Sequence, residues 1–316
     1  MSTDRSEGEA AAAQVLDPDE GEASLTAEAP VTPDAPVSAE AAVAAKALVT
    51  AQVAGAPAPP EGPPEAVEWR PGQIHVLPGR RVPGLAPRAV RVYLPSTFTP
   101  EGPRFALYMF DGQNVFTDET SFAGGWHLQE AVEKLARGRR LAPIVVGIDH
   151  GGVERGNELS PFPFAGSSGQ LDLLLDWVGG TLTPWLGERL PLIGGPLGAV
   201  AGGSSMGGLA AIYAHFRHPE LFGGALAMSP SLWVADGEIL RWVAGQPAPE
   251  VSRIYLDCGA REGRGGLLPL VAALAAHLHN RGYDRDHLMF RPDARGAHNE
   301  KSWRRRLPKA LRFFYR

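Results

Sequence analysis

The stretch that decides the fold runs from residue 199 to residue 209 and reads Ala-Val-Ala-Gly-Gly-Ser-Ser-Met-Gly-Gly-Leu. Its first four residues form a short apolar run, which is typical of a strand buried on both faces. Leu209, Ile212 and Phe216 then follow at the spacing of one helix face. The turn between them matches G-x-S-x-G, a pattern that lifts its central serine clear of the sheet. We therefore predict a strand, a tight turn and a helix, with Ser205 at the turn as a candidate nucleophile.

The chain on both sides of this turn alternates apolar runs with helical stripes from residue 67 onward. Two strands that follow one another directly, and then repeated strand–helix units, predict an α/β protein with a mostly parallel central sheet and helices on both faces. The predicted strands are Gln73–Leu77, Ala89–Leu94, Phe105–Phe110, Ile144–Ile148, Ala199–Gly202, Gly223–Met228, Ile254–Asp257 and His287–Arg291. The predicted helical stripes begin near Leu128, Leu171, Leu209, Val271 and Trp303.

A serine at such a turn works with an acid and then a histidine that follow it in the chain. His277 and His279 fall in a predicted helix, and His287 opens a predicted strand. His298 lies in the loop between the last strand and the last helix, at the edge of the sheet where Ser205 is expected. We therefore predict that His298 is the general base.

The acid is expected just after the strand Ile254–Asp257, and two residues compete for the role. Asp257 lies within the strand, whereas Glu262 lies in the loop that follows it. We favour Glu262, because a carboxylate in that loop could hold the imidazole in the required tautomer. Asp257 stays open as the alternative.

The loop after the strand Phe105–Phe110 is expected to help bind a negatively charged oxygen. It reads Asp111-Gly112-Gln113-Asn114. In proteins with this kind of turn, one N–H comes from such a loop and the other from the residue after the nucleophile. We assign these donors to Gln113 and Met206. Gly112 would let the backbone approach a substrate closely.

These motifs together resemble the Putative esterase family, which holds esterase D (S-formylglutathione hydrolase), feruloyl and acetyl xylan esterases, and enterobactin-type trilactone esterases. The resemblance implies an α/β-hydrolase fold and an ester hydrolase without a cofactor, with the triad acid at the position of Glu262, where many members carry Asp. The closest likeness is to the bacterial members that resemble siderophore esterases. The segments that carry it are 90–95, 108–114, 146–149, 202–208, 229–231, 256–259 and 296–299, together with Trp303.

Loops at the same edge of the sheet usually build the substrate pocket. Arg155 and Glu158, in the loop of residues 151–169, are candidate substrate-binding residues. Arg155 could hold a substrate anion, or it could pair with Glu158 and shape the loop. Trp126 and Trp233 could supply aromatic walls, although tryptophan is often plain core.

Composition limits the possible partners. The 316 residues carry a net charge of −5 and a single cysteine, Cys258. No basic field favours nucleic acid or an anionic membrane, a disulfide framework is excluded, and the spacing of His127, Asp149 and His150 predicts no metal site. Residues 1–66 lack aromatic residues and are rich in Ala, Pro and Glu, so we predict a disordered tail and linker before a catalytic domain over residues 67–316.

The sequence thus predicts a cytoplasmic serine esterase that acts on a small-molecule ester, without a cofactor. An acyltransferase on the same scaffold and a non-catalytic binding protein with this fold remain the alternatives. The sequence leaves the natural ester and the oligomeric state open.

Overall fold

Eight strands form one sheet in the computed structural model, which describes residues 67–121, 123–138 and 141–315. The tail and linker predicted for residues 1–66 lie outside the described residues. The strands are β1 (Ile74–Val82), β2 (Leu85–Tyr93), β3 (Ala106–Phe110), β4 (Ile144–Ile148), β5 (Ala199–Ser204), β6 (Gly224–Met228), β7 (Arg253–Gly259) and β8 (Leu288–Asp293). Each of them overlaps a predicted strand.

The strand order across the sheet is β1-β2-β4-β3-β5-β6-β7-β8. β2 is antiparallel to both of its neighbours, β1 and β4. The remaining pairs, from β4 through to β8, are parallel. This is the predicted mostly parallel sheet, which begins with an antiparallel pair.

The helices lie in the connections between the parallel strands, except for the last one, which follows β8. They are α1 (Gly112–Val115), α2 (Leu128–Arg137), α3 (Arg155–Glu158), α4 (Leu171–Trp177), α5 (Thr183–Gly187), α6 (Met206–Arg217), α7 (Glu238–Gly245), α8 (Leu267–Asn280) and α9 (Glu300–Phe314). A π-helical turn over Val178–Leu182 joins α4 to α5. The sequence patterns predict neither α5 nor α7, and α1 and α3 lie in segments that they predict to be loops.

Both faces of the sheet are covered by helices. Successive side chains of a strand point to opposite faces, so Tyr108 and Met109 of β3 belong to two different buried clusters. The cluster with Tyr108 contains apolar residues of α4, α6 and α8. The cluster with Met109 contains those of α2 and α9. The predicted α/β fold with helices on both faces is confirmed.

Parallel strands bring their carboxyl ends to the same edge, where α/β proteins bind their ligands. β3 ends before Asp111, β5 before Ser205, and β7 shortly before Glu262. The fold therefore gathers the three loops that the sequence analysis singled out. Within the described part of the chain, no helix is both long and apolar enough to cross a membrane.

Candidate active site

Ser205 lies at the turn between β5 and α6 in an unusual backbone conformation. Its φ is 55° and its ψ is −121°, a region that residues with a side chain rarely adopt. The turn is held because the Ser205 N–H donates to the Met228 carbonyl at 3.0 Å and the Ser205 carbonyl accepts from the Ser231 N–H at 3.0 Å. Backbone strain of this kind persists only where the surrounding structure enforces it, and it occurs frequently at functional sites.

The glycines around Ser205 are required by close packing. A Cβ on Gly203 would lie 2.6 Å from the carbonyl carbon of Gly207, and one on Gly208 would lie 3.1 Å from the Cα of Pro230. Side chains at these positions would push α6 away from β5 and β6. The G-x-S-x-G pattern is thus explained by the geometry of the turn.

The three residues predicted to form a triad lie in one hydrogen-bonded chain. The Nε2 of His298 is 2.9 Å from the Oγ of Ser205. The Nδ1 of His298 is 2.9 Å from the Oε2 of Glu262. The His298 side chain is 40% exposed, whereas the Glu262 side chain is fully buried. A substrate can therefore reach the serine and the imidazole, while the carboxylate is shielded from water.

Glu262, rather than Asp257, contacts the histidine. Burial works to raise the pKa of Glu262, but hydrogen bonds from His298, Ser229 and the Gly259 N–H outweigh it and leave that pKa below its usual range. Glu262 is therefore ionised at neutral pH. Asp257 instead accepts hydrogen bonds from Arg306 and Tyr255 in the interior.

An aromatic pair supports the imidazole from the side of the core. The ring of Trp303 lies 5.0 Å from that of His298, edge to face, and the ring of Trp126 lies 5.7 Å from that of Trp303. Trp126 is only 3% exposed. The prediction that Trp126 forms a pocket wall is therefore wrong, because its ring packs behind Trp303 in the core.

The loop after β3 packs tightly against β4. A Cβ on Gly112 would lie 2.5 Å from the backbone carbon of Gly147. Gly112 is buried, so the close approach that requires a glycine is to β4, and the predicted contact with a substrate is corrected. Gln113 and Met206, the predicted oxyanion donors, lie in the first turns of α1 and α6, where backbone N–H groups have no carbonyl partner within their own helix.

Arg155 and Glu158 do not pair with each other, so that alternative is wrong. Arg155 donates from Nε and Nη2 to the two carboxylate oxygens of Asp111, at 2.6 and 2.7 Å. Glu158 is 1% exposed and binds the guanidinium of Arg88 at 3.0 and 2.9 Å. Glu158 thus anchors the loop to β2, and the prediction that it binds substrate fails because it is buried. Arg155 remains partly exposed at the rim.

Trp233 is half exposed at the rim of the site. It lies two residues after Ser231, whose Oγ is 3.2 Å from that of Ser205. Its ring meets the ring of Phe164, from the loop after β4, at 5.4 Å and nearly perpendicular. These two rings lie side by side at the rim, so the interpretation of Trp233 as a pocket wall stays a prediction.

Sequence reasoning missed Asp111 and Arg306 as parts of the site. Asp111 joins three segments, because its carboxylate holds Arg155 and also lies 3.2 Å from where a Cβ on Gly207 would stand. The sequence contains a signal for the first of them: Asp111 follows β3 and Arg155 follows the neighbouring strand β4, and their opposite charges favour an ion pair at that edge of the sheet. Arg306 lies three residues after Trp303 and so shares its buried helix face.

Comparison with known protein families identifies the family to which the chain belongs. The family model described as Putative esterase matches residues 86–314. The chain belongs to this family. The α/β fold described above agrees with this assignment. Among the described residues, no group of three or more His, Cys, Asp or Glu is arranged to hold a metal ion.

The chain is also similar to individual proteins, at low identity or over only part of its length. The uncharacterized protein YbbA of Bacillus subtilis is 23% identical over 246 residues, which cover 72% of this chain and 92% of YbbA. Iron(III) enterobactin esterase of Escherichia coli is 31% identical over 119 residues, which cover 35% of this chain and 28% of that protein. The crystal structure of enterobactin esterase FES from Shigella flexneri superposes with a TM-score of 0.61 at 23% identity, covering 78% of this chain. The present chain spans 59% of that Shigella protein.

Proposed function

We propose that the protein is a serine carboxylic-ester hydrolase in which Ser205 is the nucleophile, His298 the general base and Glu262 the triad acid. The observation that carries the proposal is the chain of two 2.9 Å contacts from Ser205 through His298 to Glu262. Nucleophile, base and orienting acid within hydrogen-bond reach are the signature of an activated serine.

The proton positions in this chain follow from the ionised carboxylate. Because Glu262 can only accept, the Nδ1 of His298 carries the proton, and the Nε2 is left to accept from the Ser205 hydroxyl. Ser205 then attacks the ester carbonyl while His298 takes its proton. The imidazolium protonates the leaving alcohol, and the neutral ring next activates a water molecule that cleaves the acyl-enzyme.

The oxyanion of each tetrahedral intermediate is assigned to the N–H groups of Gln113 and Met206. Two features support this assignment. Both groups lie in first helical turns, and the packing of Gly112 against Gly147 fixes the loop that carries Gln113. Rigid donors stabilise developing charge because they need no rearrangement when the charge appears.

The substrate is proposed to be a siderophore ester, with a carbohydrate ester as the second class to be tested. The similarity to enterobactin esterases supports the first class. The exposed Trp233 and the partly buried Phe164 also offer a wall for a flat aryl group.

The test is hydrolysis of p-nitrophenyl acetate and butyrate by the wild-type protein and by Ser205→Ala. We expect the variant to lose all serine-dependent hydrolysis while keeping its circular-dichroism spectrum and melting temperature. A fluorophosphonate should label the wild type and not the variant. Full hydrolysis by the variant would refute the proposal, and a wild type that neither hydrolyses nor labels would indicate a binding protein.

Two further measurements separate the remaining alternatives. Product analysis in the presence of alcohol and sugar acceptors distinguishes hydrolysis from acyl transfer, because a transferase forms a new ester where a hydrolase forms free acid. A panel of a siderophore trilactone, acetylated sugars and feruloyl esters then ranks the substrate classes by kcat/KM.

A further inference from the structure

Arg306 lies behind the proposed triad and reaches it through one buried serine. Its Nη2 donates to the Oγ of Ser229 at 2.8 Å, and its Nε donates to Asp257 at 2.9 Å. Arg306 is 6% exposed and Ser229 is fully buried. An arginine on a helix that begins with several charged residues would ordinarily face solvent, so this burial calls for a functional explanation.

The hydroxyl of Ser229 has only one possible orientation. Its oxygen accepts from the Nε1 of Trp303 at 3.0 Å as well as from Arg306. Tryptophan and arginine nitrogens can only donate, and a hydroxyl has two lone pairs and a single proton. That proton must therefore point to its third neighbour, the Oε1 of Glu262, at 2.8 Å.

The orientation of the Ser229 hydroxyl determines which oxygen of Glu262 is left to accept from His298. The Oε1 of Glu262 accepts from Ser229 and from the Gly259 N–H, which is also 2.8 Å away. The remaining oxygen, Oε2, is left as the acceptor for His298. Two chains of donors therefore end at Glu262. On the core side, Arg306 donates to Ser229 and Ser229 donates to Glu262. On the other side, Ser205 donates to His298 and His298 donates to Glu262. Arg306 supports this polarity, because its nitrogens can only donate and so occupy a lone pair of the Ser229 oxygen.

We propose that Arg306 and Ser229 form a positioning relay that keeps the Glu262 carboxylate ionised and oriented toward His298. The inference rests on the proposed function, since it assigns these residues to the same triad. Asp257 takes the role of an anchor, because it accepts a hydrogen bond from the Nε of the guanidinium, whereas Ser229 accepts from Nη2. The Nη1 of Arg306 lies 3.6 Å from the Oε1 of Glu262, so the positive charge also acts directly on the carboxylate.

Other charged or titratable groups face this relay and belong in any account of its pH dependence. They are Tyr255, Asp257 and Cys258 of β7, Arg291 and Asp293 of β8, and His298 of the loop before α9. Burial lowers the pKa of Arg306, but Asp257 and Glu262 outweigh it and raise that pKa, so the guanidinium keeps its charge throughout.

The test compares the pH dependence of kcat/KM for p-nitrophenyl butyrate in the wild type, Arg306→Met, Arg306→Lys and Ser229→Ala. Removing the positive charge favours protonation of the Glu262–His298 pair. The acid limb of Arg306→Met should therefore move to higher pH by about one unit. Its kcat should fall by roughly 10- to 100-fold, because Glu262 is no longer held in place. Arg306→Lys should restore the position of the acid limb.

Ser229→Ala keeps the test decisive if Arg306→Met fails to fold, because it removes the relay without leaving a buried charge unpaired. Its acid limb should move in the same direction by a smaller amount. Arg304→Met is the matched control, since Arg304 is exposed and pairs with Glu130 at 2.9 Å. Its profile should equal that of the wild type.

The outcomes distinguish the two proposals. If the wild type shows Ser205-dependent hydrolysis while Ser229→Ala and any folded Arg306→Met keep the wild-type acid limb, the relay is refuted and the proposed function stands. If the wild type shows no Ser205-dependent hydrolysis, the proposed function fails and the relay fails with it.

Discussion

Replacing Glu262 by Gln should nearly abolish activity, and the structure predicts the reason at the level of single protons. The two oxygens of Glu262 have different surroundings. Oε1 faces the donors Gly259 N–H and Ser229 O–H, both at 2.8 Å, with Arg306 beyond them at 3.6 Å. Oε2 faces His298 alone among these groups, at 2.9 Å.

The amide of the variant therefore has one acceptable orientation. If its NH₂ group took the place of Oε1, it would oppose two donors and leave them without an acceptor. Each unmade buried hydrogen bond costs about 1–3 kcal/mol, so this orientation is disfavoured by roughly 2–6 kcal/mol. The NH₂ group is thus directed at the Nδ1 of His298.

An NH₂ donor at this place selects the wrong histidine tautomer. The Nδ1 must then accept, which puts the proton on Nε2, and Nε2 can no longer accept from Ser205. An exchange of this kind lowers kcat by about 10⁴-fold in the serine-protease triad, where the geometry is otherwise kept. We expect a loss of about 10³- to 10⁴-fold here, with an unchanged circular-dichroism spectrum.

The assay is steady-state hydrolysis of p-nitrophenyl butyrate at pH 8, together with the rate of fluorophosphonate labelling of Ser205. Both rates should fall in parallel. Glu188→Gln is the matched control, because Glu188 is exposed and pairs only with its neighbour Arg189 among the described contacts. If kcat of Glu262→Gln stays within about tenfold of the wild type, the tautomer argument is wrong.

Two further predictions concern the scaffold around the site. Gly112→Ala should displace the loop after β3, because the new Cβ would lie 2.5 Å from the backbone of Gly147; we expect the protein to lose about 1–3 kcal/mol of unfolding free energy and most of its activity. Gly187→Ala, with nothing within 4 Å of the new Cβ, should change neither urea unfolding nor kcat. Burial lowers the pKa of His215 from 6.5 to about 4. Between these two pH values only the unfolded state binds the proton, so the unfolding free energy should decrease by about 3 kcal/mol as the pH falls through that window. His215→Gln should flatten this dependence in urea titrations at pH 7 and pH 5, and equal pH slopes for variant and wild type would contradict the assignment.

The sequence predicted the sheet and the proximity of Ser205 and His298 because both leave local patterns. Buried strands read as short apolar runs, and the glycines around Ser205 mark a turn that few other structures require. His298 followed from chain order and from its loop. α7 was missed because it is only eight residues long and follows a turn in which Ala235 and Asp236 have positive φ.

The sequence favoured Glu262 but left Asp257 open as the acid, because both lie near the end of β7. It depends on which carboxylate contacts His298, and in the structure Asp257 is instead bound by Arg306, a residue 49 positions after it. The three consecutive arginines that include Arg306 suggest a solvated face. The helical spacing of Trp303, Arg306, Ala310 and Phe313, all buried, indicates the opposite for this one arginine.

The roles of Gly112, Trp126 and Glu158 were mistaken for a common reason. Each lies in a loop at the catalytic edge, where loop residues often contact ligands. The structure turns all three inward, against β4, Trp303 and Arg88 respectively. Position in a loop indicates nearness to the site, but only packing determines which side of the loop a side chain occupies.

The short distance between the hydroxyls of Ser205 and Ser231, 3.2 Å, has a practical consequence for mass spectrometry. Two such neighbours could each carry a covalent adduct, and the intact mass would be the same. Cleavage after arginine separates them, since Ser205 falls in the fragment of residues 190–217 and Ser231 in that of residues 218–241. A tryptic digest of the modified protein therefore identifies the reactive hydroxyl without any substitution.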